Sequence, residues 1–415
     1  MKGFAANLST KQVKALEGDS RVETVVQDVK FKAIQMMPSS SSNVNNTLMS
    51  QSTPWGITRV GAPLNGTGKK AWVLDTGIDL DHPDLNVDYG SSASFVAGES
   101  ADDGHGHGTH VAGTIAAKDN STGVVGVAAD ADVVAVKVCD SSGQCYTSDL
   151  DAGIDYIVSN YSSGDVANIS LGWPITGNSR VDLALSVLEN TIKTAADDGL
   201  MFAIAAGNES QDANNKSPAR IAYNNVWTVS AHDDNDDFAS FSNYGNPPIE
   251  YSNPGVDILS LCKNGGTNTI GGTSMAAPHI AGLLLTVPND INTDGYVTND
   301  PDNDPDAIAA YTPLEVSISG PISRDSNESG TWTENASYGT GNYSYQWYFK
   351  NIGQTTWGLG VTSTSYSRSF ENIISIADHA YLKVVVTSGS EQAETTFPVL
   401  IHGSGSSCPP GQICL

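Results

Sequence analysis

The chain has 415 residues, enough for two or three domains of ordinary size, and its composition is that of a globular protein. Its 20 Lys and Arg against 46 Asp and Glu give a formal charge of −26, which argues against nucleic-acid binding and favours divalent cations. No run approaches the roughly 18 apolar residues of a membrane span. The expected protein is a soluble monomer that contacts neither nucleic acid nor membrane.

The five cysteines suggest an oxidising compartment. Cys139 and Cys145 bracket one short loop, and Cys408 and Cys414 bracket another, so each pair is predicted to form a local disulfide. Cys262 then stays unpaired. Because the chain contains no C-x-x-C pair, a thiolate zinc site is not expected.

The N-terminal region begins with a small α/β segment. Residues 3–33 show helical spacing followed by strand-like alternation. Residues 39–53 form a polar run without periodicity, which is typical of a flexible, cleavable linker.

From Trp55 onwards, short apolar strands alternate with helical stretches. This alternation predicts a parallel sheet covered by helices on both faces, with functional residues at the ends of the strands. The predicted strands are 71–75, 132–138, 166–170 and 201–207.

An Asp-, Asn- and Pro-rich segment at 289–307 predicts a domain boundary, and the chain beyond it has only strand patterns. A small all-β sandwich is therefore expected over 312–402. One predicted strand places four aromatic side chains on the same face, namely Tyr343, Tyr345, Trp347 and Phe349. Trp347 is expected in the core, and Tyr348, on the opposite face, is the better candidate for surface contact.

Three segments place reactive side chains at strand ends or helix starts. Asp75 ends the apolar strand AWVLD, His107 lies between two glycines before an apolar helix, and Ser274 follows two glycines at the start of another helix. Taken singly, these are a helix-capping Asp, a structural His and an N-cap Ser. Taken together, they supply a nucleophile, a base and the carboxylate that orients the base.

The blocks DTGIDLDHPDL, HGTHVAGT and GTSMAAPH follow one another in the order Asp, His, Ser. From about Trp55 to about Leu285 the chain therefore resembles the subtilisin-like serine peptidases, or subtilases. The resemblance implies an α/β fold with a parallel sheet between helices, and a secreted endopeptidase that forms an acyl-enzyme at Ser274. It also implies a preference for apolar or aromatic residues before the scissile bond.

The resemblance carries further site residues. Asn208 is expected to donate its side-chain amide to the oxyanion, with the backbone N–H of Ser274 as second donor. Trp173 stands where a glycine is common in the family, so the neighbouring subsite is expected to differ. The residues implied to line the primary specificity pocket are Ser170, Leu171, Gly172, Ala205, Ala206 and Gly207.

A structural Ca²⁺ is also implied. Its ligands would be the Asp84 carboxylate, the Asn120 side chain, and backbone carbonyls near Thr122 and Val124. A second acidic segment, DINTDG from Asp290, begins like a calcium loop but has proline at the twelfth position, so a solvated linker is the preferred interpretation.

The N-terminal and C-terminal regions also resemble known protein segments. The N-terminal segment resembles the second half of a subtilase inhibitor propeptide, so the chain is expected to begin inside a longer precursor. The C-terminal region resembles immunoglobulin-like or polycystic-kidney-disease-type modules, without the inter-sheet disulfide. The expected division is partial propeptide 1–35, linker with the maturation site 36–54, peptidase domain 55–288, acidic linker 289–311, β-sandwich 312–402 and tail 403–415.

The expected partners are protein and peptide substrates and the chain's own propeptide, in an extracellular setting. One alternative is a surface-binding protein whose catalytic domain is inactive. Another is a lipase or other acyl hydrolase, although no G-x-S-x-G elbow surrounds Ser274.

Overall fold

The computed structural model describes residues 5–32, 37–38, 50–325, 328–337, 342–351, 354–369, 378–388 and 391–402. The chain divides into two compact units. The first comprises Met1–Pro288 and Thr293–Tyr311, and the second comprises Asn289–Asn292 and Thr312–Leu415. Most of the predicted 36–54 linker, the 403–415 tail and the Cys408/Cys414 pair lie outside the described residues.

The described residues form six α-helices. The N-terminal helix begins with a capping box, in which the Ser9 hydroxyl accepts from the backbone N–H of Gln12 and the Gln12 side chain accepts from the N–H of Ser9. The helices are α1 (Thr10–Glu17), α2 (Trp55–Arg59), α3 (His107–Ala116), α4 (Thr147–Val158), α5 (Ser179–Asp197) and α6 (Thr273–Thr286).

The strands are numbered along the chain. The N-terminal segment and the first unit contain β1 (Lys30–Lys32), β2 (Met37–Pro38), β3 (Leu64–Asn65), β4 (Lys70–Asp75), β5 (Asn86–Val87), β6 (Ala93–Ser94), β7 (Ala128–Ala129), β8 (Asp132–Lys137), β9 (Gln144–Tyr146), β10 (Val166–Ile169), β11 (Trp173–Pro174), β12 (Met201–Ala205), β13 (Lys216–Ser217), β14 (Val226–His232), β15 (Ile249–Pro254), β16 (Ile258–Cys262), β17 (Gly266–Gly271), β18 (Ile291–Tyr296) and β19 (Ala307–Tyr311). Those that follow are β20 (Glu315–Ser319), β21 (Ser323–Asp325), β22 (Ser329–Ser337), β23 (Tyr343–Lys350), β24 (Gly358–Leu359), β25 (Ser365–Ser369), β26 (Asp378–Ser388) and β27 (Glu391–His402).

A ten-stranded sheet forms the centre of the first unit, in the order β18-β19-β15-β14-β12-β10-β4-β8-β5, with β6 also pairing with β8. Its central strands are parallel. On β4, Trp72 and Leu74 join a buried cluster that includes Leu150 of α4 and Leu188 of α5. Successive strand residues face opposite sides, and α3 and α6 also contact β4, so helices cover both faces as predicted.

The segment predicted as the 289–311 linker differs from that expectation. It contributes β18 and β19, and β19 pairs in parallel with β15 through Ile308 and Ser252. Ile308 is fully buried. The short apolar run AIAAY supplies this strand, because burying it stabilises the sheet edge more than the flanking Asp residues oppose it.

The second unit contains two sheets, β20-β22-β25 and β21-β27-β26-β23-β24. They share one core, which includes Trp332 of β22 and Trp347 of β23. Tyr345 and Phe349 pack against this core, so the predicted inward face of the aromatic strand is confirmed. Tyr348 is half-buried, with Lys383 Nζ 5.1 Å from its ring centre.

Candidate active site

Asp75 and His107 meet at the carboxyl end of β4. His107 Nδ1 lies 2.7 Å and 2.8 Å from the two carboxylate oxygens of Asp75, and both side chains are fully buried. The Asp75 carboxylate also accepts a hydrogen bond from the backbone N–H of Thr76. The carboxylate therefore holds the imidazole ring from its Nδ1 side.

Gly108 and the hydrogen-bonded pair of Thr76 and Asp103 bring the loop after β4 close to the start of α3. Gly108 approaches the loop after β4 so closely that a Cβ would lie 2.1 Å from the carbonyl oxygen of Gly77. The Thr76 hydroxyl accepts from Gly108 N–H and donates to Asp103. Asp103 also accepts from the backbone and hydroxyl of Thr109 in the first turn of α3.

His107 differs electrostatically from its buried neighbour His110. Burial lowers the pKa of His107, but the charge of Asp75 and the hydrogen bond to it raise this pKa by more, so it lies above the usual histidine value. Burial lowers the pKa of His110 to about 3. The two neighbouring histidines are therefore shifted in opposite directions, and the pKa of His107 is the one that is raised.

Ser274 lies in the first turn of α6, where a proline changes the local hydrogen bonding. Pro278 has no N–H to offer the carbonyl of Ser274 four residues earlier, and the Ser170 hydroxyl donates to that carbonyl at 3.0 Å instead. The Ser274 hydroxyl in turn donates to the Ser170 carbonyl at 3.3 Å. His107 Nε2 has no hydrogen-bond partner among the described residues.

Asn208 follows β12 and faces the start of α6. Its Oδ1 accepts from both the backbone N–H and the hydroxyl of Thr273, each at 2.9 Å. A Cβ on Gly272 would lie 3.0 Å from its Nδ2, so the glycine leaves space beside the amide. Thr273 thus fixes the orientation of the amide beside Ser274.

The six predicted pocket residues lie at the end of β12 or directly after β10 and β12, which are neighbouring strands, and all six are buried. Two side chains that the sequence did not indicate lie against the pocket glycines. Lys216 lies beside Gly172, Glu209 lies beside Gly207, and the two form an ion pair.

The N-terminal segment occupies the edge of β9. Strand β1 pairs with β9 in antiparallel orientation, with Phe31 opposite Cys145. The centre of the Phe31 ring lies 3.6 Å from the centre of the Trp173 ring, and Trp173 is 1% exposed. The predicted Cys139–Cys145 disulfide is present at this edge, and Cys139 N–H donates to the carbonyl of Asp75.

The predicted calcium ligands converge on one loop. Asp84, which is fully buried, accepts from Asn120 Nδ2 at 2.5 Å and from Val124 N–H at 3.1 Å. Burial raises the pKa of the Asp84 carboxyl, although these hydrogen bonds oppose the shift. Gln51, in the region predicted as a linker, also contacts the loop, because its Oε1 accepts from Asn120 N–H.

The structure thus pairs Asp75 with His107 and places Asn208 against Thr273, the residue before Ser274. Helices α3 and α6, which carry His107 and Ser274, contact each other. The residues predicted for the pocket and for calcium lie at two further places. Sequence reasoning missed Thr273, although it stands next to Ser274 in the same block. It also missed Lys216, Glu209 and Gln51, for which no local pattern in the sequence gave a signal.

Comparison with known proteins identifies the class. The model of the subtilase family matches residues 66–300. The M-protease of Shouchella clausii (strain KSM-K16) is 41% identical over 291 residues, covering 68% of this chain and 68% of that protein. Subtilisin Savinase of Lederbergia lenta is 45% identical over 244 residues, covering 57% and 84%, and the alkaline serine exoprotease A of Vibrio alginolyticus is 37% identical over 295 residues, covering 68% and 51%.

A buried Asp–His pair at the end of a parallel strand, together with a serine in the first turn of a buried helix, is typical of a serine hydrolase. The chain belongs to the subtilase family and is a serine endopeptidase.

Proposed function

We propose that Ser274 attacks the peptide carbonyl, His107 takes and returns the proton, and Asp75 orients His107 and stabilises its cation. The observation that carries this proposal is the doubly hydrogen-bonded, fully buried Asp75–His107 pair. The Ser274 hydroxyl must turn from the Ser170 carbonyl towards His107 Nε2 before it reacts.

The reaction has two stages. In the first, Ser274 Oγ bonds to the substrate carbonyl carbon, its proton passes to His107, and the oxyanion accepts hydrogen bonds from Asn208 Nδ2 and Ser274 N–H. His107 returns the proton to the leaving amine, and an acyl-enzyme remains. In the second, water loses a proton to His107 and attacks the acyl carbon, and His107 then gives that proton to Ser274 Oγ as the bond between Ser274 and the new carboxyl group breaks.

Replacement of the nucleophile tests the assignment. Ser274→Ala should lower kcat for casein or a peptide anilide by about 10⁶-fold, a magnitude taken from subtilisin, and should abolish labelling by a sulfonyl fluoride. The exposed Ser162→Ala is the matched control and should behave like the wild type. Wild-type turnover by Ser274→Ala would overturn the proposal.

A structural Ca²⁺ is part of the proposal. Asp84 is a buried carboxylate, and the loop that contacts it carries side-chain amide and backbone carbonyl oxygens, the hard donors that Ca²⁺ prefers. A bound cation would offset the desolvation that raises the pKa of Asp84. Asn120 and the carbonyls of Thr122 and Val124 would complete the set, with Gln51 as a further candidate. The ion would brace the loop and takes no part in the proton transfers.

We also propose that the mature enzyme acts outside the cell on proteins as a monomer, after removal of the N-terminal segment. Two contacts support a propeptide role: the pairing of β1 with β9 and the packing of Phe31 on Trp173. No helix in the described residues is long and apolar enough to cross a bilayer. The preference for apolar or aromatic residues before the scissile bond remains a prediction, supported by the small residues that line the pocket.

A further inference from the structure

The Cys139–Cys145 disulfide joins two segments that have different neighbours. Cys139 follows β8, and its backbone N–H donates to the carbonyl of Asp75 at 3.2 Å, next to the Val138 N–H, which donates to the same carbonyl at 2.9 Å. Cys145 lies in the middle of β9, directly opposite Phe31 of β1. The disulfide therefore links the backbone of Asp75 to the strand that pairs with the N-terminal segment.

Strand β9 offers its edge to an extended chain. Among the described residues β1 is the strand that pairs with it, and the antiparallel register covers all three residues of β9. The edge of a strand binds an extended peptide through main-chain hydrogen bonds. After the proposed removal of the N-terminal segment, a substrate can take the place of β1. The position of β9 relative to Asp75 then decides where the scissile carbonyl of that substrate lies.

The hydrogen bonds of this hairpin hold its turn and the start of β9. The Asp140 carboxylate accepts from the backbone N–H groups of Ser142 and Gln144, each at 2.9 Å, and Glu99 accepts from the backbone N–H of Ser141 at 3.1 Å. The disulfide reaches further along β9, into the buried core. Its two cysteines are only six positions apart, so the bond restricts the unfolded chain modestly and acts mainly on local geometry.

We propose that the Cys139–Cys145 disulfide is a positioning element for extended substrates, which it aligns by holding β9 at a fixed distance from Asp75. This inference rests on the proposed peptidase function. A tetrapeptide has enough backbone to pair with β9, whereas a substrate with a single residue before the scissile bond has none to spare. A displacement of about 1 Å can lower a rate by about 10²-fold, because the reacting atoms must be aligned. Loss of the disulfide should therefore slow the cleavage of long substrates selectively.

The test compares two anilides that share the residue before the scissile bond, one a tetrapeptide and the other an acetylated single residue. The enzyme is made from the full 415-residue chain, and its active sites are counted with a sulfonyl fluoride. In Cys139→Ala/Cys145→Ala, the ratio of kcat/KM for the long substrate to that for the short one should fall by about 10–100-fold. The loss should be in kcat for the tetrapeptide. Cys262→Ala, at the free cysteine, is the matched control and should keep the wild-type ratio.

The long-to-short ratio separates positioning from stability, since a smaller folded fraction lowers both rates equally. Cys139→Val/Cys145→Val fills the core without a bond and should show the same fall, which keeps the inference testable if the alanine pair folds poorly. An unchanged ratio in a folded double variant, or a fall due to KM alone, would overturn the inference while the peptidase function stands. A wild type that cleaves neither anilide and does not react with the sulfonyl fluoride would contradict the peptidase function itself.

Discussion

The two units bury very different groups. The first buries many polar and charged side chains, including Asp75, His107, His110 and Lys137, each at most 1% exposed. In the described part of the second unit, the buried polar residues are Asp290, Glu334 and Ser388, and the core is built around Trp332 and Trp347.

The buried polar groups of the first unit belong to the proposed active site and its surroundings, whereas the core of the second unit consists of packed side chains. Burying a polar group costs free energy unless it is paired, so buried polar groups persist where a network holds them. The first unit supplies such networks at the ends of its strands, where Asp75, Thr76 and Asp103 position His107. In the second unit, burial of aromatic side chains contributes most of the core, and the indole N–H groups of Trp332 and Trp347 each donate to a backbone carbonyl.

Asp75→Asn should remove most of the peptidase activity of the first unit without a comparable effect on the stability of the second unit. The variant should lose about 10⁴-fold in kcat, a magnitude taken from serine proteases as a class. Activity requires neutral His107 and so rises with pH through its pKa, which Asp75 keeps above the usual value. Without that charge, the midpoint of the kcat/KM–pH profile should move to lower pH. Asp198→Asn is the exposed control, and an unmoved midpoint in Asp75→Asn would contradict the assigned coupling.

Trp347→Ala should destabilise the second unit and leave the peptidase activity of the first unit unchanged. Removing this fully buried ring should lower the free energy of unfolding of the second unit by about 3–5 kcal/mol, measured by denaturant titration. Turnover of a short peptide should be unchanged, because the proposed catalytic residues all lie in the first unit.

Two truncated chains test whether the first unit is active and stable without the second. A chain ending at Tyr311 keeps β19 in the sheet and should retain short-peptide turnover, whereas one ending at Pro288 loses β19 and should be less stable. Loss of turnover in a folded chain ending at Tyr311 would show that the second unit belongs to the catalytic machinery.

Asn208→Ala should lower kcat by about 10²–10³-fold with little change in KM, a magnitude taken from subtilisin. The cause is loss of one donor to the oxyanion, which develops only in the transition state. Thr273→Val keeps the backbone contact to Asn208 but loses the hydroxyl contact, so its effect on kcat should be smaller. An equal rise in KM for both variants would indicate a role in ground-state binding instead.

Chelation should affect only the first unit. If Ca²⁺ is present at 100 times its dissociation constant, its removal costs about 2.7 kcal/mol of stability. We therefore expect a chelator to lower the first unit's Tm and speed autolysis, without moving the unfolding transition of the second unit. Asp84→Asn should remove the chelator effect, and its persistence in that variant would place the ion elsewhere.

The sequence by itself determined the parts of this protein that depend on short contiguous patterns. The three blocks predicted Asp75, His107 and Ser274, and apolar runs predicted the main strands, because alternation and strand-end placement follow from local geometry. The alternating aromatics of β23 likewise predicted which face of that strand is buried.

Only the tertiary structure decided the contacts between residues that lie far apart in the chain or whose effect depends on a neighbour. The Ser170 hydroxyl donates to the Ser274 carbonyl, which Pro278 leaves without its helical partner. The Lys216–Glu209 pair lies beside Gly172 and Gly207. The apolar run of β19 gained its place in the sheet in the same way, despite its acidic surroundings. Such contacts carry no local signature, since the energy of a side chain depends on which partners folding brings to it.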